Sequence, residues 1–240
     1  METKNIIKWW NFPSATIINK NLPKTQIYPY IKKIEDKKLL QDSVQSIYIL
    51  ANIQTNNTHI EVYEDNKELY QEIQFFYVRM KKKDESKKVY KLLAHLIPYP
   101  LVVLIDESKN FSIYTGRFEK LSNGFLKLVS IYASPFYKAD DLKEVLKQLS
   151  LADFPKNNMK EFYDGLRDKI VTITVKVQYG EEVDNITSEK KDQLDNLQNQ
   201  IEHLRKCIKK ERQLNRKIDM QMKLKKLKDE LSNKLNNKHT

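Results

Sequence analysis

Glu72-Ile-Gln-Phe-Phe-Tyr-Val-Arg-Met-Lys81 and Ile97-Pro-Tyr-Pro-Leu-Val-Val-Leu-Ile-Asp106, read with the residues between them, decide the fold. The first piece is aromatic and β-branched and lacks Gly and Pro, which predicts a strand. After it, Val89, Leu92, Leu93 and Leu96 recur at helical spacing behind Asp84 and Glu85, whose charge suits a helix N-terminus; Pro98 ends that helix. Residues 101–105 are continuously apolar, as in a strand covered on both faces. Strand, helix and buried strand together predict an α/β (α+β) domain, a mixed β-sheet flanked by helices.

Upstream, prolines at 13, 23 and 29 forbid one long helix in the first 31 residues. The Trp9-Trp10 pair is expected to plug a core edge, and Lys20 and Lys24 flank a rigid Leu22-Pro23 turn that could meet a phosphate. Residues 32–44 read as a helix, 46–53 as a strand, 52–58 as a polar turn and 59–64, with Ile60 and Val62 alternating against Glu61 and Tyr63, as a half-buried strand. Downstream, 111–118 and 125–132 read as two strands joined through the Ser122-Asn123-Gly124 turn. Helices are expected over 140–151 and 158–170. Residues 172–179 are β-rich, though they could extend the preceding helix.

From residue 188 the composition changes. Leu194, Leu197, Ile201, Leu204 and Ile208 repeat at alternating spacings of three and four, and Leu224, Leu227, Leu231 and Leu235 make a second seam out of register with the first. Between the seams lies the basic segment Lys209, Lys210, Arg212, Arg216 and Lys217. Either one long helix carries a phase shift, or two helices fold back around that segment. The expected organisation is an α/β domain over 1–182 and a C-terminal coiled-coil arm over 188–236, the leucines serving partner binding and the basic segment, with Lys20 and Lys24, nucleic-acid contact.

Charge supports such a role. The chain carries 43 Lys+Arg against 32 Asp+Glu, a net charge of +11. Residues 189–240 hold 15 Lys/Arg against 8 Asp/Glu, so +7 of the +11 lies there. Such a tail favours phosphate backbones or an acidic protein surface, and otherwise is a solvated helical face. One cysteine, Cys207, excludes an internal disulfide and a multi-cysteine zinc site, and the four histidines are scattered without metal-ligand spacing. The four glycines do not cluster, so no P-loop or dinucleotide-binding turn is present. No nucleophile elbow supports Ser/His/Asp catalysis. With no signal-like N-terminal run and no apolar stretch approaching the roughly 20 residues of a membrane helix, the expected location is the cytoplasm and no membrane partner is expected.

The order helix 32–44, strands 46–53, 59–64 and 72–81, helix 84–97 and strand 100–106 also fits a restriction-endonuclease-like core. Such a core needs an acid on one strand and an acid-x-Lys or variant on the next, to hold Mg²⁺ and orient water. Glu72 and Gln74 could stand for the second motif, with Glu61 or Glu64 as the first acid. No Pro-Asp precedes them. Outside this nuclease alternative no cofactor is implied, and a purely structural coiled-coil adaptor is a third reading.

Several stretches together resemble the bacterial domain-of-unknown-function 4391 family: Phe12-Pro13 through Asn19-Lys20-x-Leu22-Pro23-Lys24, then Glu72-Ile-Gln-Phe-Phe, then Ile97-Pro98-Tyr99-Pro100 with its apolar strand. In the tail, Lys210-Glu-Arg-Gln-Leu-Asn-Arg-Lys-Ile218 followed by Leu224-Lys-Lys-Leu227 adds to it. Thr58-His59-Ile60 departs from the Thr-x-Asn-Ile that the family often has. The resemblance implies an accessory subunit of an anti-phage defence or restriction-type system, working beside a helicase, methyltransferase or nuclease partner; contact with DNA is what the basic segment, not the resemblance, suggests. The resemblance implies no established activity.

Overall fold

The computed structural model describes residues 1–180 and 186–236. The chain forms two compact units, Met1–Ile170 and Val171–Thr240. The first is built on a six-stranded mixed sheet whose strands are β1 (Ile17–Asn21), β2 (Val44–Gln54), β5 (Glu72–Met80), β6 (Leu101–Glu107), β7 (Asn110–Lys120) and β8 (Leu126–Ala133), in that spatial order. β5 and β6 run parallel, and every other neighbouring pair is antiparallel. The parallel pair is joined by helix α5 (Ser86–Leu96), the crossover that a parallel connection requires. α1 (Thr3–Trp10), the short α2 (Lys24–Ile27), α3 (Ile34–Ser43) and α6 (Ala139–Gln148) are further helices of this unit.

The central reading holds. All seven residues of β6 are buried, as is every residue of β5 except Gln74 and Arg79. α5 buries Val89, Tyr90, Leu92 and Leu93, and each such apolar side chain removed from water contributes about 1.5–3 kcal/mol. The helix starts two residues later than its acidic pair suggests. The negative charge at its N-terminus comes instead from Glu107 at the end of β6, whose carboxylate accepts the Ser86 hydroxyl and the Asp84 N–H. The β6–β7 turn places Ser108 (φ 54°) and Lys109 (φ 67°) in the left-handed region, the twist that a two-residue hairpin needs, and Asp106 Oδ1 accepts the Lys109 N–H at 2.8 Å. At the other hairpin, Gly124 takes φ 81° as the Asn-Gly pair predicts.

Two segments depart from the sequence reading, and a third decides between two readings left open. Residues 59–64 do not join the main sheet. After β2 the chain closes into a one-turn helix, α4 (Thr55–Thr58), under a reciprocal cap in which Gln54 and Asn57 bond each other's backbones, and His59 at φ 59° turns the chain away. Ile60 is buried, Val62 is exposed, Glu61 makes a single bridge to Asn158, and β3 (Tyr63–Glu64) pairs with β4 (Leu69–Tyr70) in a separate two-stranded ribbon. The third strand of the antiparallel meander is therefore β1, which the basic-turn reading of residues 20–24 missed. Lastly, the β-rich stretch 172–179 extends the preceding helix, giving α7 (Met159–Tyr179). Its β-branched residues suit either state by propensity, and helical spacing of the buried Val171 and Val175 decides it. Trp10 is fully buried as expected, against Phe12 and Phe75 at ring separations of 5.4 Å each, whereas Trp9 is only half-buried.

At the sheet's centre the Tyr90 and Tyr163 hydroxyls both donate to the Leu101 carbonyl, at 3.1 and 3.2 Å, and the Gly116 N–H donates to Tyr163 Oη at 3.1 Å. Burial raises the pKa of both phenols well above the ordinary tyrosine range, so they stay neutral donors. A Cβ on Gly116 would meet Leu128 Cδ1 and lie 2.9 Å from Tyr90 Oη. Gly116→Ala is therefore expected to destabilise the protein by about 1–3 kcal/mol in urea unfolding through collision with packed side chains, whereas Gly124→Ala acts only through its positive φ, since its Cβ would meet nothing.

Candidate functional site

The candidate residues gather at two places, one in each unit, with Lys20 and Lys24 apart from both. The first sits where β2 ends and β5 begins. Asn52 pairs with Gln74 and Gln54 with Glu72 across the two strands, so the four polar side chains share one face of the sheet. Gln54 Nε2 donates to Glu72 Oε2, and Gln74 Nε2 donates to Glu72 Oε1 at 2.6 Å. The Gln54 side chain also accepts from the Asn57 backbone at the start of α4. Both oxygens of the buried Glu72 are thus occupied, and the orientation of the Gln54 carboxamide is fixed from both ends.

What this arrangement does is hold the chain where it leaves the sheet. A Mg²⁺ site of the nuclease type wants two carboxylates. Here a single carboxylate is surrounded by carboxamides, and among the described residues no three His, Cys, Asp or Glu side chains group as metal ligands. Of the two acids expected as the first, Glu61 is exposed and its backbone bridges Asn158, while Glu64 is exposed on β3 and pairs with Lys120. These residues do not fit the metal. Asn52 Oδ1 is buried with no hydrogen-bond partner.

Lys20 and Lys24 differ in availability. Lys20 is exposed on the edge strand β1. Lys24 Nζ donates to the Val44 carbonyl at 2.7 Å and the Gln41 carbonyl at 3.4 Å, closing the C-terminal end of α3, which Lys81 also reaches. Burial, and then Lys81 beside it, lower the Lys24 pKa.

Sequence reasoning missed the half-buried ion cluster between the β3–β4 ribbon and the first turns of α7, in which Arg167 is the buried member. Arg167, only 3% exposed, pairs with Asp164 at 2.7 Å and with Asp168 at 3.4 Å; Lys160 pairs with Glu68 at 2.7 Å and Asp164 at 2.8 Å and lies over the Tyr63 and Tyr70 rings. Burial alone would lower the Arg167 pKa, but Asp164 and Asp168 outweigh it and hold it above its ordinary value. The i, i+3 and i, i+4 acidic spacing along 160–168 was the available signal. The buried Asp106 accepts the Tyr77 hydroxyl at 2.8 Å and faces Arg79 Nε at 3.7 Å.

The second site lies in the C-terminal unit. The seam residues occupy two helices, α8 (Ser188–Lys210) and α9 (Leu214–Asn236), which fold back on each other around residues 211–213. Lys234 Nζ reaches Gln193 Oε1 at 2.9 Å near the open end. Thr187 caps α8 by accepting the Lys190 N–H, and Glu211, whose carboxylate accepts the Arg212 and Gln213 N–H groups, opens α9. Those two amides, and Arg216 more weakly, lower the Glu211 pKa. The five basic residues gather at this turn: Lys209, Lys210, Arg212 and Arg216 are exposed and Lys217 half-exposed.

The seams are unevenly covered. Leu194, Leu197 and Ile201 are buried; Leu204, Ile208, Leu224, Leu227 and Leu231 are half-buried. Asn199, Gln200, His203, Leu204 and Leu227 line a groove of about 410 Å³ between the helices. Towards the turn, Leu214 (70% exposed), Ile218 and Met222 (60% exposed) make an apolar stripe at spacing four on α9. Cys207 is half-exposed on α8, 3.8 Å from His203.

These features define a mixed α/β domain with a basic helical hairpin. The chain belongs to the family described as Domain of unknown function (DUF4391), whose model matches residues 10–231. No curated protein and no solved structure matches it. Among the described residues no helix is long and apolar enough to cross a membrane.

Removing the Glu72 carboxylate leaves two oriented carboxamide donors unpaired. Glu72→Ala is expected to lower stability by about 1–3 kcal/mol, read as a fall in urea midpoint without a change in slope.

Proposed function

We propose that the protein is an accessory subunit of a bacterial anti-phage defence or restriction-type system, which binds a helicase, methyltransferase or nuclease partner, and DNA, through its C-terminal hairpin. The observation that carries this reading is the hairpin itself: a half-covered leucine seam and an exposed apolar stripe beside a turn crowded with Lys and Arg. An apolar stripe with basic residues at one end suits a protein surface that is also close to phosphate. The seam also suits self-association.

Two full-length variants separate the two roles. Replacing Lys209, Lys210, Arg212, Arg216 and Lys217 by Gln should weaken binding to duplex DNA and reduce the log–log salt slope by up to about 4.5, at roughly 0.9 per neutralised phosphate. Replacing Leu214, Ile218 and Met222 by Ser should leave the fold intact by circular dichroism and abolish capture of the partner that the wild type retains from its native host. A salt slope near zero for the wild type, with partner capture unchanged in both variants, would favour a structural adaptor and sink the proposal.

A Mg²⁺-dependent nuclease is the second reading. Strand connectivity favours it: three antiparallel strands, a crossover helix and a parallel strand follow one another in β1, β2, β5, α5 and β6. The donor set around Glu72 speaks against it. Plasmid cleavage by the wild type with Mg²⁺, lost in Glu72→Ala, is its expected signature; an inactive wild type with partner and DNA present removes it.

A further inference from the structure

The first unit carries a groove of about 910 Å³ bounded by the chain at Tyr30–Lys33, by α3, by α5 and by the tip of the β7–β8 hairpin. Neither candidate site uses it. Its lining includes the aliphatic side chains Ile31, Leu39, Leu92, Leu96 and Leu126. Two aromatic rings stand on it largely in solvent, Tyr30 at 73% and Phe125 at 63% exposure. Lys32, Lys33, Lys88 and Lys91 supply its charge, and Asp36 is the one carboxylate on the lining. Lys88 is paired with Glu85 at 3.0 Å, while Lys32, Lys33 and Lys91 have no ion pair among the described residues.

We infer that this groove docks an acidic amphipathic helix of a partner protein. The lining accepts Leu, Ile or Phe anchors at helical spacing, which is how an apolar helix face is read by a groove. The lysines complement Asp and Glu on the helix's flanks, and steer its approach. A single-stranded nucleic acid needs successive aromatic platforms for its bases, and this surface is mainly aliphatic with two separate rings. A second copy of a chain carrying +11 would bring mostly like charge to the lysines. The inference is independent of the hairpin's role, because no groove residue lies on α8 or α9.

The test uses the full chain and fluorescence anisotropy with three labelled probes. One is a helical peptide of about five turns with Leu at i, i+4, i+7 and i+11 and Glu on both flanks. The others are the same peptide with Lys for Glu, and an oligothymidylate. The acidic peptide should bind the wild type and the hairpin-turn variant equally. It should lose at least about tenfold in affinity to Lys32→Glu/Lys33→Glu/Lys91→Glu and, separately, to Phe125→Ser, all exposed positions whose fold is checked by urea unfolding. The lysine peptide should not bind. Oligothymidylate affinity should be unchanged by Phe125→Ser. Failure of the acidic peptide to bind the wild type, equal binding to wild type and groove variants, or selective loss of oligothymidylate in Phe125→Ser would overturn the inference.

Discussion

One backbone carbonyl fixes the architecture of the first unit. Leu101 O, at the first residue of β6, receives the hydroxyls of Tyr90 from α5 and Tyr163 from α7. Both phenols are buried, so an unmade bond at any of the three groups would leave a polar atom dry at a cost of about 1–3 kcal/mol. Tyr163 also takes the Gly116 N–H, which brings β7 into the same knot. The absence of a side chain at 116 is what makes room for Tyr90. Two helices and two strands are therefore located against one point, and the continuous apolar run of β6 is held in the middle of the sheet.

The ends of β5 follow from that arrangement. At its C-terminal end, parallel to the end of β6, the geometry is of the kind that holds ligands in open α/β sheets. Here Asp106 is bonded by Tyr77 and the Lys109 amide and faces Arg79, Arg79 Nη2 donates to the Met1 carbonyl, and Tyr48, Tyr77, Arg79 and residues 1–4 line a pocket of about 430 Å³. At the N-terminal end, Glu72 is occupied by Gln54 and Gln74. Buried acids at both ends thus hold turns and loops in place. Neither end includes residues of the lysine-bearing groove or of the helical hairpin.

How much of this was legible depends on whether the deciding force was local. β5, α5 and β6 could be read because a long apolar pattern, an interrupting helical period and a proline all agreed. The two seams could be read because leucine periodicity survives any packing, and Glu211, which accepts the amides at the turn, chose the hairpin over one long helix. β1 could not be read: Ile17, Ile18 and Lys20 are largely exposed on an edge, so no burial pattern marks them. Residues 59–64 misled because alternation of Ile60 and Val62 imitates a strand, while the Gln54–Asn57 cap and the turn at His59 take the chain out of register with β2. The pairing of Glu72 with two glutamines was invisible for the same reason. It depends on which residues face each other across β2 and β5, and a single sequence does not print register.

The hairpin's physical situation argues for a role outside its own fold. An antiparallel helix pair buries one stripe on each helix, and here that burial is complete only for Leu194, Leu197 and Ile201. Beyond Ile201, the half-covered Leu204, Ile208, Leu224 and Leu227 leave apolar area in contact with water, which costs about 25 cal/mol for each Å² not buried. The exposed stripe of Leu214, Ile218 and Met222 adds to it. At the same end, five cationic residues surround a turn with Glu211 as the nearby acid, so mutual repulsion adds a second cost at low salt. Both costs fall when the same partner covers the apolar stripe and an anionic surface faces the turn.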